Sequence, residues 1–230
     1  MLLGDFMNNI LKNFHIVSAI FVMVLGTILH FTYDWSGKNS FVALFSAINE
    51  STWEHLKLIF FPMLLTSILG YIFFKSVNCY WCARAIGMLV SLTFTLAFFY
   101  TYSGVLGKNI AIIDIISFFI SVILGELTSY ILMNNNIPCN KSFAFLFIVS
   151  IASLFVLFTF NPPNIGLFKD PIDGSYGIKN NSRLYFLEFC FLNFLDLILP
   201  GIYKSISITL FLNPFIFKFS LFFVRYVNNI

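Results

Sequence analysis

The chain has 230 residues, 59 % hydrophobic and only 10 % charged, with a mean hydropathy of +0.90. That balance excludes an ordinary soluble domain and makes lipid the expected solvent. A net charge of +3, with lysines and arginines scattered along the chain, excludes a patch able to neutralise several nucleic-acid phosphates.

A bilayer-crossing helix takes roughly 20 mostly apolar residues, so the length admits about five to seven spans and no separate soluble domain. The 32 phenylalanines accompany many Ile and Asn, the usage of an AT-rich coding sequence, and by themselves specify no aromatic cage. Lys12 precedes an apolar stretch from Ile16 to Leu29, which has the form of a signal peptide. The bulky, polar run His30-Phe31-Thr32-Tyr33-Asp34-Trp35 that follows lacks a small-x-small cleavage pattern, so the stretch reads as a retained helix.

Hydropathy predicts five spans, roughly Phe14 to Tyr33, Leu56 to Phe74, Arg84 to Tyr102, Ile110 to Met133 and Phe143 to Phe160. Polar breaks at 34–40, 75–78, 103–109 and 134–142 separate them, and Asn161-Pro162-Pro163 stops the fifth because proline cannot continue a helix. A turn-rich loop, Lys169 to Gly177, comes next. From about Arg183 the chain is apolar again, interrupted by Pro200-Gly201 and Asn213-Pro214, with room for one or two further hydrophobic helices. The expectation is an all-α polytopic bundle, with a five-span membrane domain over 1–180 and a hydrophobic extension over 181–230. No repeat relates the two halves, which weighs against an inverted-repeat transporter.

Five crossings put Lys12, Lys75, Arg84 and Lys141 on one side and Lys38, Lys57 and Lys108 on the other, a near balance from which we expect the N-terminus inside. The same alternation gathers polar groups on one face: His30 and Asp34, the run Asn49 to His55, Tyr100 and Tyr102, Asp114, and Asp170 to Tyr176.

The segment Ser46-Ala47-Ile48-Asn49-Glu50-Ser51-Thr52-Trp53-Glu54-His55-Leu56-Lys57 concentrates ionisable groups at a membrane boundary, where charge is costly. At helical spacing Glu50, Trp53, Glu54 and Lys57 share one stripe, and Ser51 and His55 the adjacent one. Ser51-x-x-Glu54 before an apolar run has the form of a capping box, with Trp53 as interfacial anchor. Capping leaves Glu50, His55 and His30 unexplained, and these with Asp34 are suitable first-row metal ligands or proton carriers. Both readings stand at this point.

Asp114 and Glu126 are twelve residues apart, about 120° around a helix, and cannot share one tight face. Glu126 lies deeper, where a carboxyl is either functional or neutral and bonded to Ser and Thr hydroxyls. Arg84, near a helix end, is expected to snorkel. Four cysteines are too few and too loosely spaced for a disulfide scaffold; Cys79-Tyr80-Trp81-Cys82 has CxxC spacing, with Cys139 on the same side, and resembles the centres of quinone-linked thiol oxidoreductases. Ordinary small apolar cysteines are the alternative.

Tyr33-Asp34-Trp35-Ser36-Gly37, the run Asn49-Glu50-Ser51-x-Trp53-Glu54-His55-x-Lys57 and the Asp170-Pro171…Tyr176-Gly177-Ile178 ending together resemble an uncharacterised bacterial family of small multi-pass membrane proteins, catalogued as a domain of unknown function. The resemblance spans residues 14 to 178. Chains of that family tend to finish soon after the Tyr-Gly-Ile element, so it implies that the last fifty residues are an extension without the site. Ser51 and His55 also fit the Ser-x-x-x-His pair of seven-helix zinc hydrolases that include alkaline ceramidases. The later His-x-x-x-His pair of those enzymes is absent, since His15, His30 and His55 are the only histidines and His15 falls on the opposite side.

The expectation is therefore a polar or metal site at one face, acting in hydrolysis of a lipid-like substrate. His30, His55 and Asp34 are ligands to a divalent metal such as zinc, and Glu50 or Glu54 activates water. Asn49, Ser51, Asp114, Glu126, Asp170 and Tyr176 are further polar candidates. Membrane lipids are the expected partners and the cell membrane the expected location. A small-solute or ion transporter or channel using Asp114 and Glu126, and a structural or partner-binding membrane protein, are the alternatives.

Overall fold

The computed structural model of the protein describes residues 2–135 and 137–178. Five α-helices run through them: α1 (Leu2–Trp35), α2 (Thr52–Phe74), α3 (Tyr80–Leu106), α4 (Ala111–Asn134) and α5 (Lys141–Phe160). Short 3-10 turns at Val42–Leu44 and Gly166–Phe168 complete the described elements. All five helices are long and apolar enough to cross a membrane. The C-terminal helices expected from about residue 183 lie outside the described residues.

Each helix end has a local cause. Trp35 is followed by Gly37 at φ +69°, and the Lys38 and Gly37 amides donate to the carbonyls of Tyr33 and Asp34, the paired bonds of a Schellman stop. α2 starts at Thr52, four residues ahead of the hydropathy boundary, because extended Ser51 caps it: its Oγ accepts from the Glu54 amide at 3.4 Å. Asn140 caps α5 by accepting from the amides of Ser142 and Phe143.

The interior inverts the distribution seen in a soluble protein. Val22, Phe60, Met63, Met88, Val122 and Phe155 form the apolar centre. Beside them are buried Arg84, Glu126, Lys57, Glu54 and a set of serines, while Val17, Ile72, Phe73, Phe143 and Leu146 turn outward. Apolar groups outward, with the buried charges paired inside, are what a hydrocarbon solvent requires, and the chain is a multi-pass membrane protein.

Two close approaches build the bundle. α3 carries Ala83, Gly87, Ser91 and Thr95 at intervals of four, α4 carries Ser117, Ser121, Gly125 and Ser129, and all eight are buried. Gly87 and Gly125 lie against each other's backbone: a Cβ on Gly87 would stand 2.5 Å from the Gly125 carbonyl oxygen, and one on Gly125 2.6 Å from that of Gly87. Ser91 and Ser129 donate across the same crossing to the carbonyls of Ser121 (2.8 Å) and Ala83 (3.0 Å). Small residues let the backbones meet, and the hydroxyls bond them. The second approach uses Pro62 in α2, which has no N–H for the Leu58 carbonyl; Gly26 of α1 packs against that oxygen, where a Cβ would come to 2.4 Å.

Because the crossings alternate, one face of the bundle carries the start of α1 and the connections at 75–79 and 135–140. This is the amino-terminal face. The distal face carries residues 36–51, 107–110 and the loop 161–178.

Candidate functional site

The distal face brings together three groups from three segments. α1 supplies His30 near its end, the connection before α2 supplies Glu50, and the first turn of α2 supplies His55. His55 Nε2 lies 3.4 Å from Glu50 Oε2, His30 Nε2 lies 3.7 Å from Glu50 Oε1, and one ligand atom from each residue falls within 4.8 Å of the others. The imidazole centroids are 5.2 Å apart. Around a tetrahedral ion with bonds of about 2.0–2.2 Å, ligand atoms stand roughly 3.3–3.6 Å from each other, so the two nitrogen–oxygen separations are close to those of a coordination shell.

The Ser51 carbonyl can only accept, so His55 Nδ1 donates its proton there at 2.9 Å, leaving Nε2 as the nitrogen that faces the carboxylate. Across that gap the Glu50 carboxylate faces both imidazoles, an arrangement that a shared proton or a bound cation can bridge. His30 Nδ1 is buried without a hydrogen-bond partner. Glu50 is placed by its own backbone: its amide donates to Asp170 Oδ2 at 3.1 Å, and the other oxygen of Asp170 accepts from the Ile172 amide at 2.7 Å. Asp170 therefore ties the 161–178 loop to the segment bearing Glu50. That loop is closed by the Asp170 amide to the Ser175 carbonyl and by the bridge between Lys169 and Tyr176, and the Ile178 amide anchors it on Thr159.

The other expected site residues separate by role. Asp34 stands one turn beyond His30 on α1, outside the group of three. Asn49 Oδ1 accepts from the Ser51 amide at 3.0 Å, and its Nδ2 is buried without a partner. Ser51 caps α2 as expected, but the reciprocal arm of the capping box is missing, since the Ser51 amide is taken by Asn49 and the Glu54 carboxylate turns inward. There it pairs with Lys57 Nζ at 2.5 Å and accepts from the Ile48 amide, and Lys57 also donates to the Ala43 carbonyl and Thr159 Oγ1. Glu50 precedes the helix and so leaves the stripe on which helical spacing placed it with Glu54 and Lys57. Trp53 packs on Phe155, Phe158 and Phe168. Asp114 Oδ1 accepts a hydrogen bond from the Tyr102 hydroxyl.

A second polar centre lies between α1, α2, α3 and α4. Arg84 does not snorkel. It is 0 % exposed, grips Glu126 through Nη1 (2.5 Å) and Nη2 (2.9 Å), and donates to Ser67 Oγ, Thr66 Oγ1 and the Met63 carbonyl. His15 Nδ1 at 2.7 Å and the Ser18 hydroxyl complete the coordination of Glu126. Glu126 thus has its hydroxyl partner, together with a cation that the sequence reading did not assign to it. Every guanidinium nitrogen is occupied, which makes this a structural tie.

The cysteines pair differently from the CxxC reading. Cys82 is bridged to Cys139, with Cα atoms 6.2 Å apart, and this corrects the expectation of unpaired apolar cysteines. Alternating crossings already put Cys139 on the side of Cys82, but with 57 positions between them only the packing of α3 against α5 shows that the two meet. Cys79, its thiol pointed at the Leu132 carbonyl, is buried, and burial pushes that thiol up from its ordinary value, away from the reactive thiolate a CxxC centre needs.

No curated protein and no solved structure matches the chain. One family model does, over residues 6–178, which takes in His30, Glu50, His55, Asp170 and both buried ion pairs and ends with the loop that closes the distal face. The chain therefore belongs to DUF6512, a family of unknown function.

Proposed function

We propose that this protein is a metal-dependent hydrolase of the cell membrane, acting on lipid-like substrates at its distal face. A divalent first-row cation such as zinc is held by His30, His55 and Glu50. The observation that carries the reading is the convergence of the three ligand atoms within 4.8 Å from three separate segments, with His55 oriented by the Ser51 carbonyl. Two histidines and one carboxylate leave a coordination position open, the arrangement in which zinc activates water for attack on a carbonyl or phosphoryl group. Glu54 is committed to Lys57, so of the two acids considered for catalysis Glu50 is the one at the metal. Asp34, one turn from His30, is the nearest further carboxylate along α1. The location at the membrane boundary favours a substrate whose labile bond sits at headgroup depth. Saturation of Glu126 by Arg84 disfavours a transport path through it.

The test is metal analysis of the purified protein beside His30→Ala, His55→Ala and Glu50→Gln variants of equal fold. The expected result is about one divalent ion per chain, lost in the variants. Equal metal content in all four proteins refutes the site. Release of soluble headgroup or free acid from mixed-lipid vesicles, abolished by the same variants and by chelation, then tests the hydrolytic step.

A further inference from the structure

We infer that the amino-terminal face of the bundle lies in an oxidising compartment and that the His30, Glu50 and His55 cluster opens toward the opposite, reducing one. The Cys82–Cys139 bridge carries the argument. Cys82 is the third residue of α3 and Cys139 lies two residues before α5, so both sulfurs sit at the amino-terminal face. Their Cα separation of 6.2 Å lies within the range that a disulfide spans without moving the backbone. Closing the bridge removes two electrons and two protons from two thiols, and disulfide-exchange catalysts accept them outside the cytosol, whereas cytosolic thiol pools hold such pairs reduced.

Charge does not oppose this orientation. Arg84 and Lys57 are buried in ion pairs inside the bundle, not placed in a flanking connection. Among the described residues that leaves Lys12, Lys75 and Lys141 at the amino-terminal face against Lys38, Lys108 and Lys169 at the distal face. Among these described lysines the count is three on each side and favours neither orientation, so the bridge carries the inference. The result reverses the N-inside orientation expected from the sequence. Resting on the proposed function, it also names the substrate pool: lipids of the cytosol-facing leaflet, with metal drawn from the cytosol.

The experiment denatures cells at harvest directly in maleimide-polyethylene glycol, which caps free thiols before air can oxidise them, and counts the adducts on the full-length chain in a Cys190→Ser background, with and without prior reduction. One adduct before reduction, from Cys79, and three after is the expected result; three without reduction overturns the bridge. Sidedness is read in a Cys79→Ser/Cys190→Ser background carrying either Ser76→Cys or Lys108→Cys, both at exposed positions. A membrane-impermeant maleimide applied to intact cells is expected to label Ser76→Cys and to reach Lys108→Cys only after the cells are opened. The opposite pattern overturns the orientation. Metal content, measured separately, distinguishes failure of the orientation from failure of the metal site.

Discussion

Arg84 and Glu126 meet through two nitrogen–oxygen contacts of 2.5 and 2.9 Å across the α3–α4 crossing, inside a bundle whose outer surface is apolar. Neither group reaches water, and each has further partners from α1 or α2, so the pair fixes how four helices meet. Removing either member takes away the other's main charge partner in a medium that cannot solvate it. Arg84→Met or Glu126→Leu is expected to cost about 3–5 kcal/mol, and the double variant less than the sum of the two. Thermal unfolding in detergent measures this; additive losses would show that the two side chains act independently.

The same pair marks where the sequence stopped being informative. Helix number was legible because lipid imposes long apolar runs, and convergence of His30, Glu50 and His55 on one face follows from alternating crossings alone. Arg84 was misread because a hydropathy window begins a span at the first charge, whereas α3 begins at Tyr80 and carries Arg84 a full turn inward. Its partner is set by the α3–α4 register. That register is written in the four-residue spacing of Ala83, Gly87, Ser91 and Thr95 and of Ser117, Ser121, Gly125 and Ser129, a signal present in the sequence but not visible to hydropathy. Asp34 stayed outside the ligand group because α1 ends in a Schellman stop just beyond it, with His30 one turn earlier turned to Glu50.

The Gly87–Gly125 contact leads to a second prediction. A Cβ at either position meets a serine Oγ at about 2 Å, which a rotamer change can relieve, and the facing carbonyl oxygen at 2.5 or 2.6 Å, which only backbone movement can relieve. Gly87→Ala and Gly125→Ala are each expected to lose about 1–3 kcal/mol, and the corresponding valine variants more. Gly104→Ala, at a helical position with open space around it, is the control and should leave the unfolding midpoint close to wild type.

Acidification should strip the metal. Each imidazole must shed its proton to bind a cation, and so must the carboxylate, so binding releases protons and affinity falls as pH is lowered. Titration of the wild-type protein with a metal-sensitive dye is expected to give an apparent Kd that rises steadily on the acid side. A pH-independent Kd would place the cation on other groups.

Asp170 acts on the site through the Glu50 backbone amide and not through the metal. Asp170→Asn keeps an acceptor oxygen and should be mild. Asp170→Ala frees both the Glu50 and Ile172 amides and is expected to weaken metal binding by about 10–100-fold, the usual effect of removing an outer partner. The discriminating readout is Kd at constant stoichiometry, since loss of a ligand would instead abolish the bound ion.

Lys57 separates the two buried ion pairs experimentally. Glu54 receives Lys57 Nζ and the Ile48 amide, so this pair holds down the start of the segment that carries Glu50, whereas Arg84 and Glu126 tie helices nearer the amino-terminal face. Lys57→Met leaves the Glu54 carboxylate buried without its cation and should destabilise by about 3–5 kcal/mol. It should also loosen residues 48–50 and raise the Kd for metal. Arg84→Met should lower stability by a similar amount while leaving the Kd of the folded fraction near wild type. Measuring melting point and metal affinity on both variants therefore tests whether the distal cluster is supported by its own buried pair. Equal shifts in Kd would mean that metal binding reports only global stability.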